Sequence, residues 1–315
     1  MIRRILSIDG GGIRGVFPAA FLATLEDALG CRVADYFDLI VGTSTGGIIA
    51  LGLGLGWPAG EILDFYKAIG PRVFAGNPLL RAIRRIGVSK YSQQPLRAAL
   101  EEKFNGVLLG SSTKRLVIPS LNLENGQIHL YKTAHHRKFR QDYKERVLDI
   151  ALATAAAPTY FPTQVTNAGI PLIDGGVWAN NPIAVAVVEA IGVLEWPRES
   201  LRVLSLGCTM PPFDAGAARK LPLGLGPWAA KIADVFMAGQ SSGALGTAYT
   251  LVGHDNVYRI APTTPKGRYG LDAVKSINDL AGLGSFEGRN YCARLEPVFF
   301  QEPAEPFQPF YTADF

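Results

Sequence analysis

The chain has 315 residues, 48% hydrophobic and 18% charged, where soluble globular chains average about 25% charged, so disorder is excluded for most of its length. Its 35 glycines make up about 11% of the chain against the usual 7% or so, with no Gly-X-Y period, so many positions are turns or close backbone approaches rather than collagen. The net charge of +4 is mildly basic, which suits an anionic partner such as a lipid surface without requiring one.

In chain order, Met1-Ile2-Arg3-Arg4 reaches Asp9 after four further residues, too short an apolar stretch for a signal peptide, so no export is expected. Ile5–Ile8 reads as a short buried strand, followed by a glycine turn. A helix is predicted over Val16–Leu29, with Phe17, Phe21, Leu22, Leu25 and Leu29 on one face. Phe37–Val41 is the next strand, and a helix is predicted over Ile48–Leu55. Leu39 to Gly60 carries no charge and has the length of a membrane span. Gly42, Gly46, Gly47, Gly52, Gly54, Gly56 and Pro58, with Thr43, Ser44 and Thr45, make it strand, turn and buried helix instead.

Asn77 to Lys90 is a basic amphipathic segment, with Leu79, Leu80, Ile83 and Ile86 at helical spacing and Arg81, Arg84, Arg85 and Lys90 around them. It fits a surface helix packed on the core or a lid that meets lipid. Further strands are expected at Arg115–Pro119, Ile128–Tyr131 and Arg202–Leu206, and a helix at Arg146–Ala156. Leu221 to Trp228 alternates apolar residues with Pro and Gly, suiting either a gate over an acyl groove or a loop packed on the body. Such βαβ alternation predicts an α/β fold with a mainly parallel central sheet and helices on both faces. One domain over residues 1–300 is expected, followed by a Pro/Phe-rich tail over 301–315 that docks on the body or on a partner. Cys31, Cys208 and Cys292 have no zinc-like or redox spacing, and their odd number fits a reducing cytoplasm rather than a disulfide framework.

Two glycine clusters carry the chemistry. Asp9-Gly10-Gly11-Gly12-Ile13-Arg14-Gly15 formally satisfies G-x-G-x-x-G. The next strand ends in Gly42-Thr43-Ser44 rather than an acid for ribose hydroxyls, and no Lys follows either cluster. Both the dinucleotide and the P-loop readings therefore fail. Gly42-Thr43-Ser44-Thr45-Gly46 is G-x-S-x-G between strand and helix, where a nucleophile elbow belongs. Both turns follow strands at their C-terminal ends and should converge on one sheet edge, where Gly11 and Gly12 can aim N–H groups at an oxyanion on Ser44. Two groups can serve as base. His254 alone follows a plausible acid in the order Ser, Asp, His, although its Gly-His-Asp context is that of a surface loop. Asp174 ends an apolar run before Gly175 and Gly176, where an ordinary turn aspartate would also sit.

Asp9–Gly15, Gly42–Gly46, Ala155-Ala-Ala-Pro-Thr-Tyr-Phe-Pro162 and Asp174-Gly-Gly-Val-Trp-Ala-Asn-Asn-Pro182 resemble the successive blocks of the patatin-like phospholipases. Tyr258-Arg259-Ile260 and Leu271-Asp272-Ala273 resemble that family's C-terminal part. The resemblance implies a Ser44–Asp174 dyad without histidine, an elbow of Gly42, Thr43, Thr45 and Gly46, and an oxyanion site of Gly10, Gly11 and Gly12 with Arg14 nearby. It implies hydrolysis of phospholipid fatty acyl esters through an acyl-serine, with no metal and no cofactor. Short bacterial members also resemble phospholipase effectors of antiphage systems. This adds the expectations of a cyclic oligonucleotide as allosteric activator, peripheral attachment to the inner face of the cell membrane, homo-oligomers, and no nucleic acid polymer as partner. The rival expectations are a soluble serine esterase or thioesterase with the same dyad, and a non-catalytic protein whose glycine loops bind an anion.

Overall fold

The computed structural model describes residues 1–75, 89–210 and 232–312. Most of the Asn77–Lys90 segment and all of Leu221–Trp228 lie outside the described residues. Eight strands form one sheet: β1 (Arg3–Ile8), β2 (Leu39–Gly42), β3 (Arg115–Asn122), β4 (Ile128–Lys132), β5 (Gln164–Val165), β6 (Pro171–Asp174), β7 (Leu201–Leu206) and β8 (Val257–Ile260). Five of them run parallel in the order β3-β2-β1-β7-β8, while β4, β5 and β6 are antiparallel.

Side-chain alternation divides the core between the two faces. Leu6, Ile8, Ile40, Leu116, Ile118, Leu204 and Leu206 pack into one cluster. Its helices are α1 (Val16–Leu29), α2 (Thr45–Gly54), α3 (Ala59–Val73), α4 (Gln94–Phe104) and α5 (Val147–Thr154). Ile5, Leu39, Val41, Val117 and Val203 point to the other face. There the cover comes, beyond the short α6 (Gly176–Ala179), from α7 (Ile183–Gly192) and α8 (Ile232–Val252). The last helix, α9 (Ile277–Phe299), lies against α1 at close range. Gly284 makes this approach possible, because a Cβ there would meet the Phe17 carbonyl at 2.5 Å.

The sheet is more mixed than a plain βαβ series. Val117 pairs with both Val41 and Lys132, and Ser120 with both Asp174 and His129. β4 therefore takes one edge of β3, while β2 and β6 share the other edge in succession and meet C-terminus to C-terminus. Pro119, which has no N–H to offer a ladder, sits in the interval between them. The β3–β4 connection is a tight hairpin around Asn125-Gly126, with Gly126 at φ 70. That dipeptide is a recognised turn signal, and it makes this pair antiparallel within a sheet expected to be mainly parallel.

The tail docks on the body. Ala304 N–H donates to the Asp35 carbonyl (2.8 Å) and Phe310 N–H to the Ala134 carbonyl (2.7 Å). Glu305 pairs with Arg3, and the Arg115 guanidinium lies over the Trp196 and Phe307 rings. These contacts sit at the N-terminal ends of β1 to β3, opposite the glycine turns.

Gly42 and Gly46 have no room for side chains: a Cβ on Gly42 would run into the Gly46 carbonyl, and one on Gly46 into the Ile8 carbonyl. A Gly42→Ala variant should therefore lose about 5 °C or more of Tm. Gly60→Ala, in open space on α3, should leave Tm unchanged or raise it by a few degrees. Thermal melting of both variants checks this.

Candidate active site

β2 ends at Gly42 and α2 begins at Thr45, so the chain reverses within Thr43 and Ser44. Ser44 adopts φ 56, ψ −120, a left-handed geometry that a non-glycine residue holds only when its surroundings enforce it. Thr43 Oγ1 donates to the Ala179 carbonyl at 2.7 Å. Thr45 Oγ1 donates to the Tyr66 hydroxyl at 2.6 Å, and that hydroxyl donates to the Thr45 carbonyl at 2.8 Å. Ser44 N–H donates to Thr154 Oγ1 (2.9 Å), whose own hydroxyl donates to the Pro119 carbonyl (2.7 Å). The turn is thus pinned on both sides and through the backbone of the serine itself.

The head-to-head meeting of β2 and β6 brings Asp174 to this turn. Ser44 Oγ donates to Asp174 Oδ2 at 2.6 Å, and Gly176 N–H donates to Oδ1 at 2.6 Å. Both side chains are buried. Burial raises the Asp174 carboxyl to about 6, against the opposing pull of these two hydrogen bonds. A carboxylate with one oxygen on a serine hydroxyl and a protonation midpoint near neutrality is equipped to take that proton.

The first glycine loop lies beside this pair, since a Cβ on Gly10 would come within 3.2 Å of Ser44 Cβ. Gly10 N–H is already committed to the Asn180 carbonyl (2.9 Å), Ile13 N–H to the Leu271 carbonyl (2.9 Å) and Arg14 N–H to the Gly11 carbonyl (3.2 Å). The N–H groups of Gly11 and Gly12 have no partner among the described residues. Of the expected oxyanion set, Gly10 therefore holds the loop in place rather than offering a donor. The Arg14 guanidinium is also engaged, its Nε on the Gly11 carbonyl (3.2 Å) and Nη1 on the Thr209 carbonyl (3.1 Å). The N-terminus of α2 faces the serine and favours negative charge there.

Asp9 anchors the loop. Its carboxylate receives a two-pronged bond from Arg259, at 2.8 and 2.5 Å, and Arg259 also donates to Ser205 Oγ. Burial pushes the Asp9 carboxyl upward, and Arg259 and Arg14 pull it back. Thr154, Asn180 and Arg259 escaped the sequence-based assignment of roles. Only Arg259 carried a usable signal, as a charge within a strand whose ends, Val257 and Ile260, are buried. His254 is exposed before β8, stacked on Tyr249 at 4.0 Å. This is the N-terminal end of a parallel strand, opposite the Ser44 edge, so it is removed as a base. Among the described residues no group of His, Cys, Asp or Glu is arranged to hold a metal ion.

The Asp174 shift has a consequence for stability. A carboxyl ordinarily near 3.8 that titrates at about 6 in the fold favours folding while protonated, and that contribution disappears as pH rises from about 4 to 6. Above 6 the buried carboxylate costs about 3 kcal/mol relative to a neutral group. Asp174→Asn should raise Tm relative to wild type at pH 8, and the difference should vanish near pH 4. Melting curves across that range check the sign.

Residues 6–187, more than half of the chain, match the family described as patatin-like phospholipase. The chain is 35% identical over 306 residues to the cGAMP-activated phospholipase of Pseudomonas aeruginosa (strain BWHPSA011 / Pa011), covering 94% of this chain and 90% of that one. It is 39% identical over 207 residues to the cGAMP-activated phospholipase of Vibrio cholerae serotype O1, covering 59% of this chain and 57% of that one. The solved structure of VipD from Legionella pneumophila superposes with a TM-score of 0.50 at 12% identity, covering 93% of this chain and 67% of that chain, a likeness of fold. With more than half of its residues matched by the family and most of its length aligned with a relative at 35% identity, the chain belongs to the patatin-like phospholipase family.

Proposed function

We propose that the protein is a lipid acyl hydrolase of phospholipase A type, with Ser44 as nucleophile and Asp174 as general base. The observation that carries this is the buried 2.6 Å hydrogen bond from Ser44 to Asp174 on a strained turn. In acylation, Ser44 Oγ bonds to the ester carbon while Asp174 Oδ2 takes the hydroxyl proton. The carbonyl oxygen becomes an oxyanion, for which the Gly11 and Gly12 N–H groups, uncommitted among the described residues, would be the donors. Collapse breaks the ester C–O bond, and the lysolipid leaves with the proton from Asp174. Water then attacks the acyl-serine, Asp174 accepts its proton, fatty acid departs and the proton returns to Ser44. A passive anion-binding role is disfavoured by the same geometry, because a carboxylate 2.6 Å from the serine repels an anion.

The similarity to two cGAMP-activated phospholipases supports activation by a cyclic dinucleotide, and with it a role in antiphage defence. Attachment to the inner face of the cell membrane would be peripheral. Among the described residues no helix is long and apolar enough to cross a membrane. Val177, Met210, Ile232 and Phe236 are exposed, apolar groups of the kind a lipid surface would cover.

Fatty acid release from phospholipid vesicles tests this reading. Ser44→Ala should fall by at least about a thousandfold, and cGAMP should raise wild-type release. Activity should climb with pH through a midpoint near 6, as the Asp174 carboxyl ionises, and Asp174→Asn should abolish that limb along with turnover. Equal rates on dispersed short esters and vesicles would favour the soluble esterase. Phe236→Glu should lower release from vesicles more than hydrolysis of a dispersed short-chain ester.

A further inference from the structure

Three chain segments meet around Asp272, one residue from the carbonyl that covers the first glycine loop. Lys90 N–H donates to the Thr159 carbonyl (2.9 Å) and Tyr91 N–H to the Tyr160 carbonyl (2.8 Å), so two successive backbone bonds hold this segment on the Ala157–Phe161 turn. The side chains of the same two residues reach a third segment. The Lys90 ammonium pairs with Asp272 Oδ2, and the Tyr91 hydroxyl donates to that oxygen at 2.5 Å. The Lys90 ammonium also lies over the Tyr91 and Tyr160 rings, at 5.3 and 5.2 Å from their centres. Thr159 holds φ 70, a strained value for a β-branched residue, which persists where neighbours over-determine the backbone.

One residue before Asp272, the Leu271 carbonyl accepts the Ile13 N–H (2.9 Å) and covers Gly12. Gly12 sits at φ 59, and any side chain there would collide with that carbonyl. The tie thus runs from Lys90 and Tyr91, through the Asp272 carboxylate and the Leu271 carbonyl, to the two glycines whose N–H groups have no partner among the described residues. A tie serving only stability would more naturally end in the core. Here it ends on the loop beside Ser44.

We propose that Asp272 is a positioning residue: pinned by Lys90 and Tyr91, it fixes the Leu271 carbonyl against Gly12 and Ile13 and so sets the direction of the Gly11 and Gly12 N–H donors. This rests on the acyl-transfer reading above. Two donors converging on one oxygen call for a strong acceptor, and Lys90 calls for an anion. Burial raises the Asp272 carboxyl, but the bonds from Lys90 and Tyr91 outweigh it and hold the group below its ordinary value, so it stays ionised at working pH. A small rotation of the glycine peptides misaligns donors whose value lies in being preorganised.

The test compares full-length wild type, Asp272→Asn, Lys90→Met and the double variant. Each single change should lower kcat on a dispersed short-chain ester by about 10- to 100-fold, with KM changed less than about threefold and the pH midpoint near 6 retained, since Asp174 is untouched. The double variant should be no worse than either single, because both cut one tie. Amide hydrogen exchange in the peptide spanning residues 9–15 should quicken in all three. Wild-type kcat in Asp272→Asn, a loss confined to KM, or unchanged exchange at residues 9–15 would overturn the proposal. Wild type that hydrolyses no ester would instead sink the hydrolase reading, and the exchange comparison would still decide whether Asp272 holds the loop.

Discussion

The hydrogen bond between Ser44 and Asp174, residues 130 apart in the chain, is the contact around which the catalytic edge is arranged. Neither local sequence nor a single turn creates it. It exists because β2 and β6 run toward each other along one edge of β3, and their C-terminal ends meet where Pro119 leaves the ladder open. Thr154 fills the interval, accepting the Ser44 N–H and donating to the Pro119 carbonyl. The carboxylate is then buried deeply enough to titrate at about 6. That value sits close to neutrality, where a base both exists in its working form and binds a proton well enough to remove it. In the proposed dyad a histidine is not needed, because desolvation moves the carboxyl toward the range an imidazole occupies unaided.

Around this bond the backbone is held by polar contacts of long reach. The Asp9–Arg259 pair fixes the start of the glycine loop from β8, Asn180 fixes Gly10 from the turn beyond Asp174, and Leu271 fixes Ile13 from the segment before α9. Each draws on a different part of the chain: Asn180 lies within the family match over residues 6–187, whereas Arg259 and Leu271 lie beyond it. The glycines serve close approach more than flexibility. Gly42 lies under the Gly46 carbonyl and Gly46 under the Ile8 carbonyl, Gly11 is pressed on Cys208, and Gly15 on Thr45. Preorganised donors have value only when they do not need to reorient, and this packing removes the room to do so.

Local features were legible in the sequence. α1 spans Val16–Leu29 as its apolar spacing indicated, and the uncharged stretch from Leu39 onward is a buried strand, turn and helix. The start of α2 is less obvious. Gly46 and Gly47 resemble turn residues, so the helix was expected from Ile48, yet it begins at Thr45 because those glycines let it press against β1 and β2. What escaped depended on distant pairing. Asp174 stood out through resemblance rather than pattern, since its meeting with Ser44 requires knowing that β6 runs against β3. The spent N–H of Gly10, the hydroxyl of Thr154 and the clamp of Arg259 are likewise products of three-dimensional neighbours.

The central claim is that a carboxylate alone activates Ser44. It is tested most directly by the rate at which a fluorophosphonate labels the serine between pH 4 and 9, with the labelled residue located by mass spectrometry. Labelling confined to Ser44, rising through a midpoint near 6 and lost in Asp174→Asn, is the expected result. Labelling of Ser44 that ignores pH across this range, or that proceeds at the wild-type rate in Asp174→Asn, would contradict it.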